Sequence, residues 1–210
     1  MVSSATNKAL FYLLTLVLTI PLKAKTEERK DVLYMAAAET TIGKAAAGGM
    51  YAEWCLDYRN GGFSYYYAGP FFSHPVLPWL SAFCSAYYIW DSGSPYAIWP
   101  AAGLKAASHT GDISFFISES LIYDYSYIHK NSFFLRSRAG ISWHHSNSNF
   151  TPAFWIESYS WDEWMRVKSF IGSNIRITNQ LSATIGYLRS FINGKDYRLS
   201  HLTLGVSANF

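Results

Sequence analysis

The stretch His201-Leu-Thr-Leu-Gly-Val-Ser-Ala-Asn-Phe210 alternates strictly between apolar and small or polar residues. Leu202, Leu204, Val206, Ala208 and Phe210 fall on one face of an extended chain, and His201, Thr203, Gly205, Ser207 and Asn209 on the other. A period of two is the signature of a strand with two different surroundings, not of a helix. Moving toward the N-terminus, Leu181, Ala183, Ile185 and Tyr187 oppose Ser182, Thr184, Gly186 and Ser190, with Asn193-Gly194-Lys195-Asp196 as the turn. Before that, Met165, Val167, Ile171 and Ile175 oppose Arg166, Lys168, Gly172 and Asn174. The first clear strand sets Ala52, Trp54, Leu56 and Tyr58 against Glu53, Cys55, Asp57 and Arg59, and Asn60-Gly61-Gly62 closes its hairpin.

The pattern yields strands at 49–59, 62–72, 78–90, 95–107, 110–123, 131–145, 150–159, 163–176, 180–192 and 197–210. Ten is an even number, as in bacterial single-chain outer-membrane barrels, with eight or twelve as the neighbouring solutions. Strands of about 11 residues match what a tilted strand needs to cross a bilayer. In lipid every backbone group must be paired, so such a sheet has to close. The sequence therefore predicts an all-β, antiparallel transmembrane β-barrel over 49–210. Trp54, Tyr58, Tyr87, Tyr88, Trp90, Trp99, Trp143, Trp155, Trp161 and Trp164 recur near segment ends, as an aromatic girdle requires. The rival fold is a secreted soluble β-sandwich acting as a binding module. Its exposed faces carry more charge than this chain offers.

Residues 1–24 read as a signal peptide: Lys8, the apolar stretch Ala9 to Ile20, then Pro21-Leu22-Lys23-Ala24 as the segment holding the cleavage site. Twelve apolar residues are too few for a spanning helix, which needs about 20. Residues 25–48 break the alternation. Lys25–Lys30 is charged and Ala36 to Ala47 is rich in small residues, which suggests a periplasmic lead-in, a short plug entering the lumen, or an additional strand. Counting it out places both ends of a ten-stranded barrel on the periplasmic side. Of the 210 residues, half are apolar, 18% aromatic and 15% charged. A typical soluble domain is about 25% charged, so this composition excludes disorder and speaks against an ordinary cytosolic enzyme. Without Lys8 and Lys23 the formal charge falls from +3 to near +1, which gives no electrostatic case for nucleic acid.

The ending Leu202 to Phe210 resembles the C-terminal strand of outer-membrane barrel proteins. That resemblance implies that Phe210, Ala208 and Val206 form the signal read by the barrel-assembly machinery. Tyr67-Ala-Gly-Pro70, Phe134-Leu-Arg-Ser-Arg138-Ala-Gly140, Phe154-Trp-Ile-Glu157, Arg166 and Ile185-Gly-Tyr187-Leu188 are similar to an uncharacterised barrel family, domain of unknown function 2490. That likeness implies a barrel and no activity. His144-His145-Ser146-Asn147 resembles the His-x-Ser-Asn pattern of outer-membrane lipid A deacylases. There the His acts as base and the Ser as nucleophile, with a carboxylate orienting the His. His144, Ser146 and Glu157 are the matching candidates here. In that family the motif lies close to the C-terminus, whereas here many residues follow it, and its turn falls on the periplasmic side. The alternative is a set of turn residues between two strands.

If apolar faces point to lipid, the lumen receives Glu53, Asp57, Arg59, Lys105, Arg136, Arg138, Glu157, Arg166 and Lys168. Hairpin geometry sets Glu157 opposite Arg138 and, around the next turn, near Arg166. Arg136, Arg138, Glu157, Arg166 and Lys168 thus form the predicted lumenal charge cluster, with Glu157 paired to Arg138 or Arg166. Cys55 and Cys84 point to opposite sides of the wall on non-adjacent strands, so no disulfide is expected. His74, His109, His129, His144, His145 and His201 show no metal spacing, and no cofactor motif is present. Three functions follow. The first is a small, non-catalytic outer-membrane barrel with a structural, binding or narrow-pore role, whose partners are outer-membrane lipids and the assembly machinery. The others are a lipid-modifying hydrolase using His144 and Ser146, and the soluble binding module.

Overall fold

The computed structural model describes residues 30–42, 46–57, 62–91, 94–128, 130–145, 147–161, 165–192 and 195–210. They form eleven strands: β1 (Lys30–Ile42), β2 (Ala46–Asp57), β3 (Gly62–Leu77), β4 (Leu80–Asp91), β5 (Ser94–Thr110), β6 (Ile113–Ser126), β7 (Ser132–Trp143), β8 (Phe150–Ser160), β9 (Met165–Arg176), β10 (Leu181–Ile192) and β11 (Lys195–Asn209). Sequence neighbours pair antiparallel, and β1 closes the ring against β11 in parallel. The result is a closed, all-β barrel. The expected signal peptide, Arg59, Ser146 and the Gly61 and Gly194 turns lie outside the described residues.

The strand count corrects from ten to eleven. The segment taken as a lead-in or plug supplies β1 and the start of β2, so the third option, an added strand, is the one seen. The alternation signal fails there for a physical reason. Val32, Leu33 and Tyr34 are all buried, so both faces of β1 are apolar and the period of two disappears. An odd number of strands closes only with one parallel pair. Lys30 lies beside Ser200 and Glu39 beside Asn209, so Lys30 and Phe210 sit at opposite ends of the wall, not at the same end. Phe210 is joined to β1 as well: its N–H donates to Glu39 O (2.9 Å), and Thr40 Oγ1 donates to Phe210 O (3.0 Å).

The two faces of the wall differ in kind. Outward on β6 are Ile113, Phe115, Ile117 and Leu121. On β7 they are Leu135, Ile141 and Trp143, and on β8 Phe150, Phe154 and Ile156, all well exposed. The lumen receives the alternate residues. Tyr58 and Trp164 lie outside the described residues, and four of the other aromatics expected in a girdle, Tyr87, Trp99, Trp155 and Trp161, face inward instead. Their strand parity, not their position near strand ends, decides where they point.

The half of the lumen toward Lys30 is filled. Ile122, Phe134 and Tyr159 are buried there against Trp99 and Trp161, with Phe134 and Trp161 stacked at 4.3 Å. Tyr67, Ile89 and Ala97 pack beside them with Tyr65 and Tyr87. Trp99 Nε1 donates to Asp124 Oδ1 at 2.9 Å, which satisfies the indole inside the barrel. Lower down, Phe170 lies across Gly172 and Gly186, where an added Cβ would come within 2.5 Å of the ring. Those glycines leave the space that the phenyl ring occupies. Cys55 is buried, its Sγ 3.6 Å from His201 Nδ1, Cys84 is exposed, and neither forms a disulfide.

Closure through β1 makes a direct prediction. Deleting 30–42 leaves β2 and β11 with unpaired edges, so the compact species that resists unheated detergent on a denaturing gel should be lost. A deletion variant that keeps heat-modifiable migration would show that ten strands close alone.

Candidate functional site

Two ladders bring the lumenal charges together. In the β7/β8 pair Arg138 stands opposite Glu157, and in the β8/β9 pair Glu157 stands opposite Lys168. Tyr159, one inward position along β8, stands opposite Arg136 on one side and Arg166 on the other. Directly paired residues share a face, so all of these side chains project into the lumen.

Glu157 is the most connected of them. Arg136 donates to its Oε2 through Nε (2.9 Å) and Nη2 (2.5 Å), and the Tyr159 hydroxyl donates to Oε1 at 2.7 Å. Lys168 Nζ stands 3.9 Å from Oε1 and Arg138 Nε 4.0 Å from Oε2. The expected partner was Arg138 or Arg166, with Arg136 and Lys168 nearby. The closest is Arg136, set diagonally across the hairpin, and Arg138 keeps only the longer contact. The β8/β9 turn sits later than the sequence placed it. Lys168 therefore takes the position opposite Glu157, and Arg166 faces Tyr159.

A second carboxylate completes the group. Glu53 on β2 accepts from the hydroxyls of Tyr51 (3.0 Å) and Tyr67 (2.8 Å) at Oε2 and of Tyr65 (2.5 Å) at Oε1. Lys168 Nζ lies 3.6 Å from Glu53 Oε1, so one ammonium joins carboxylates carried by β2 and β8. Both carboxylates and Lys168 are almost wholly buried. Sequence reasoning put Glu53 in the lumen but did not join it to the cluster, and it missed all four tyrosines. The available signal was the run Tyr65-Tyr66-Tyr67, whose odd members share the face of Glu53 across the β2/β3 hairpin.

Arg138 differs from its neighbours. Its guanidinium stacks over Trp155 at 4.2 Å and flanks Phe116 at 5.5 Å, and its buried Nε has no hydrogen-bond partner. It lines a cavity of about 260 Å³ in the half of the lumen toward Phe210. Glu53, Glu157, Tyr51, Trp155 and Phe170 form the inner wall, and Ser142, Asn174, Thr184 and Ser207 lie farther out. Lys105 approaches Phe116 from the neighbouring strand at 5.3 Å.

The His144 motif is elsewhere. His144 is exposed where β7 ends, and its ring nitrogens meet Ser142 Oγ (3.0 Å) and Thr151 Oγ1 (3.5 Å). Glu157 lies opposite Arg138, six residues back along β7 from His144, or roughly 20 Å at the rise of a strand. A carboxylate so placed cannot orient that imidazole. Among the described residues no group of three or more His, Cys, Asp or Glu is placed to hold a metal.

The cluster makes a stability prediction. Glu157→Gln leaves Arg136 and Lys168 facing one another without their shared anion, a change that costs about 3–5 kcal/mol for a fully buried pair. Urea unfolding should show a lower midpoint for this variant, and the added change Arg136→Gln should recover part of it. Glu39→Gln, at an exposed position, should shift stability by no more than about 0.5 kcal/mol. Equal effects at Glu157 and Glu39 would remove the cluster from any structural role. Comparison with protein-family models, with curated proteins and with solved structures returns no match.

Proposed function

We propose that this chain is a small bacterial outer-membrane β-barrel that does not conduct and does not catalyse, and that offers a blind lumenal pocket for binding. The observation that carries this reading is the inversion of the wall: apolar side chains outward, ion pairs and tyrosines inward. A water-soluble barrel or sandwich arranges its faces the other way, because its apolar residues must be covered. Among the described side chains of the strands, Glu119 and Arg189 are the charges on the outer face. Arg189 lies near the end of β10, its guanidinium 5.0 Å from the Phe191 ring, where a long side chain reaches the headgroup level. Glu119 is at mid-strand between Ile117 and Leu121 and accepts a hydrogen bond from Ser137 Oγ at 2.9 Å.

A structural or binding role follows from the filling of the lumen. Open aqueous channels need about 16–18 strands, and here eleven enclose a lumen plugged by aromatic rings and an ionic group. Planar-bilayer recording of the purified protein should therefore show no stepwise conductance, and porin-sized steps would overturn the occluded reading. Envelope fractionation and heat-modifiable migration test the membrane location.

Glu119 gives an independent check on which face meets lipid. A carboxylate at mid-bilayer is unfavourable, though less so than Arg or Lys at about 2–4 kcal/mol. Glu119→Leu should thus raise the urea midpoint of the barrel folded in lipid vesicles, through a gain of about 1–2 kcal/mol in unfolding free energy. A lower midpoint would mean that this face does not meet hydrocarbon.

A further inference from the structure

We infer that the lumenal cavity is a binding site for a small organic carboxylate with a compact apolar body, anchored on the guanidinium of Arg138. The inference rests on the proposed binding role of the barrel and names the chemistry of the ligand.

The argument starts from donors and acceptors. An Arg side chain carries five N–H donors in a fixed fork. Two of those of Arg136, on Nε and Nη2, are directed at Glu157 Oε2, and Tyr159 donates to Oε1. Glu53 is saturated by three tyrosine hydroxyls and Lys168. Both oxygens of each carboxylate already have partners, and the nearest approach of Arg138 to one of them is 4.0 Å. The rings of Trp155 and Phe116 hold the guanidinium in place by its faces, and no hydrogen bond uses its edge. The Arg138 side chain is 33% exposed while its Nε is buried without an acceptor, so a ligand can supply the acceptor that the chain does not.

Charge and shape agree with that reading. Within the cluster four cations (Arg136, Arg138, Arg166 and Lys168) face two carboxylates, which leaves positive charge in excess, and Arg138 is the cation that lines the cavity. Phe116, Trp155 and Phe170 give apolar walls for the body of a ligand. A cavity of about 260 Å³ takes a single compact ring or short chain, not a lipid tail. A bidentate carboxylate is the planar anion that a guanidinium edge fits best.

The test uses the full barrel in lipid nanodiscs, titrated calorimetrically with benzoate, benzamide, acetate and inorganic phosphate, with empty nanodiscs subtracted. Benzoate should bind. Benzamide, which has the same shape and no charge, should bind at least about tenfold more weakly, the loss expected for a charge-assisted hydrogen bond. Acetate, which lacks the apolar body, and phosphate should also bind more weakly. Arg138→Gln should abolish the preference for benzoate over benzamide, and Arg138→Lys should keep part of it. Equal binding of benzoate and benzamide by the wild type overturns the inference without relying on any variant, and so does tighter binding of phosphate. Heat-modifiable migration of each sample reports separately on the barrel. A compact barrel that ignores benzoate sinks the ligand assignment alone, whereas loss of compact migration in the wild type sinks the membrane-barrel reading.

Discussion

Every strand edge in this molecule is paired, and the rest of the architecture depends on that closure. An open edge presents a row of unsatisfied N–H and C=O groups, which water can cover and hydrocarbon cannot. The chain meets the constraint with an odd number of strands, so one seam, β1 against β11, has to be parallel. Phe210 is held within the same seam by two hydrogen bonds to β1. Once the ring is closed, each side chain has only two directions available. Strand parity then divides the sequence into an apolar exterior and a crowded interior.

The interior is narrow enough that what enters it must be mutually compatible. Large aromatic rings fill one half, and where a ring needs room the facing strand position is glycine, as at Gly172 and Gly186 beneath Phe170. Charges enter the middle of the lumen in groups that satisfy one another. Lys168 lies between Glu53 and Glu157, Arg136 grips Glu157, and tyrosine hydroxyls occupy the remaining carboxylate oxygens. Low local dielectric makes such contacts strong and makes any unmatched member costly. Arg138 and Arg166 each keep a buried Nε without a hydrogen-bond partner, and Arg138 is the one that stands where the filling gives way to a cavity.

This division also separates function from scaffold. The ionic group ties β2 to β8 and β9 across the lumen, and the aromatic rings fill the half of it toward Lys30. The cavity beyond them has Arg138 beside Glu53, Glu157 and Tyr51 at its inner wall, apolar sides and a rim of hydroxyl and amide groups, the composition of a small-ligand site. The His144 region is a hairpin end whose imidazole is engaged by its own neighbours Ser142 and Thr151.

The sequence by itself determined what depends on neighbours along the chain. Alternation from Ala52 to Phe210 placed ten of the eleven strands and the faces of most of them, because a period of two is a local property. Hairpin pairing put Glu157 opposite Arg138 for the same reason, since a short turn fixes the register. What only the tertiary structure decided is non-local. β1 is apolar on both faces and has no period, and its partner β11 lies at the far end of the sequence, so nothing nearby signals that they join. Arg136 displaces Arg138 at Glu157 through side-chain reach, which parity does not encode. Glu53 meets Lys168 only because closing the ring carries β2 across from β8 and β9, a contact over more than a hundred residues that no local pattern records.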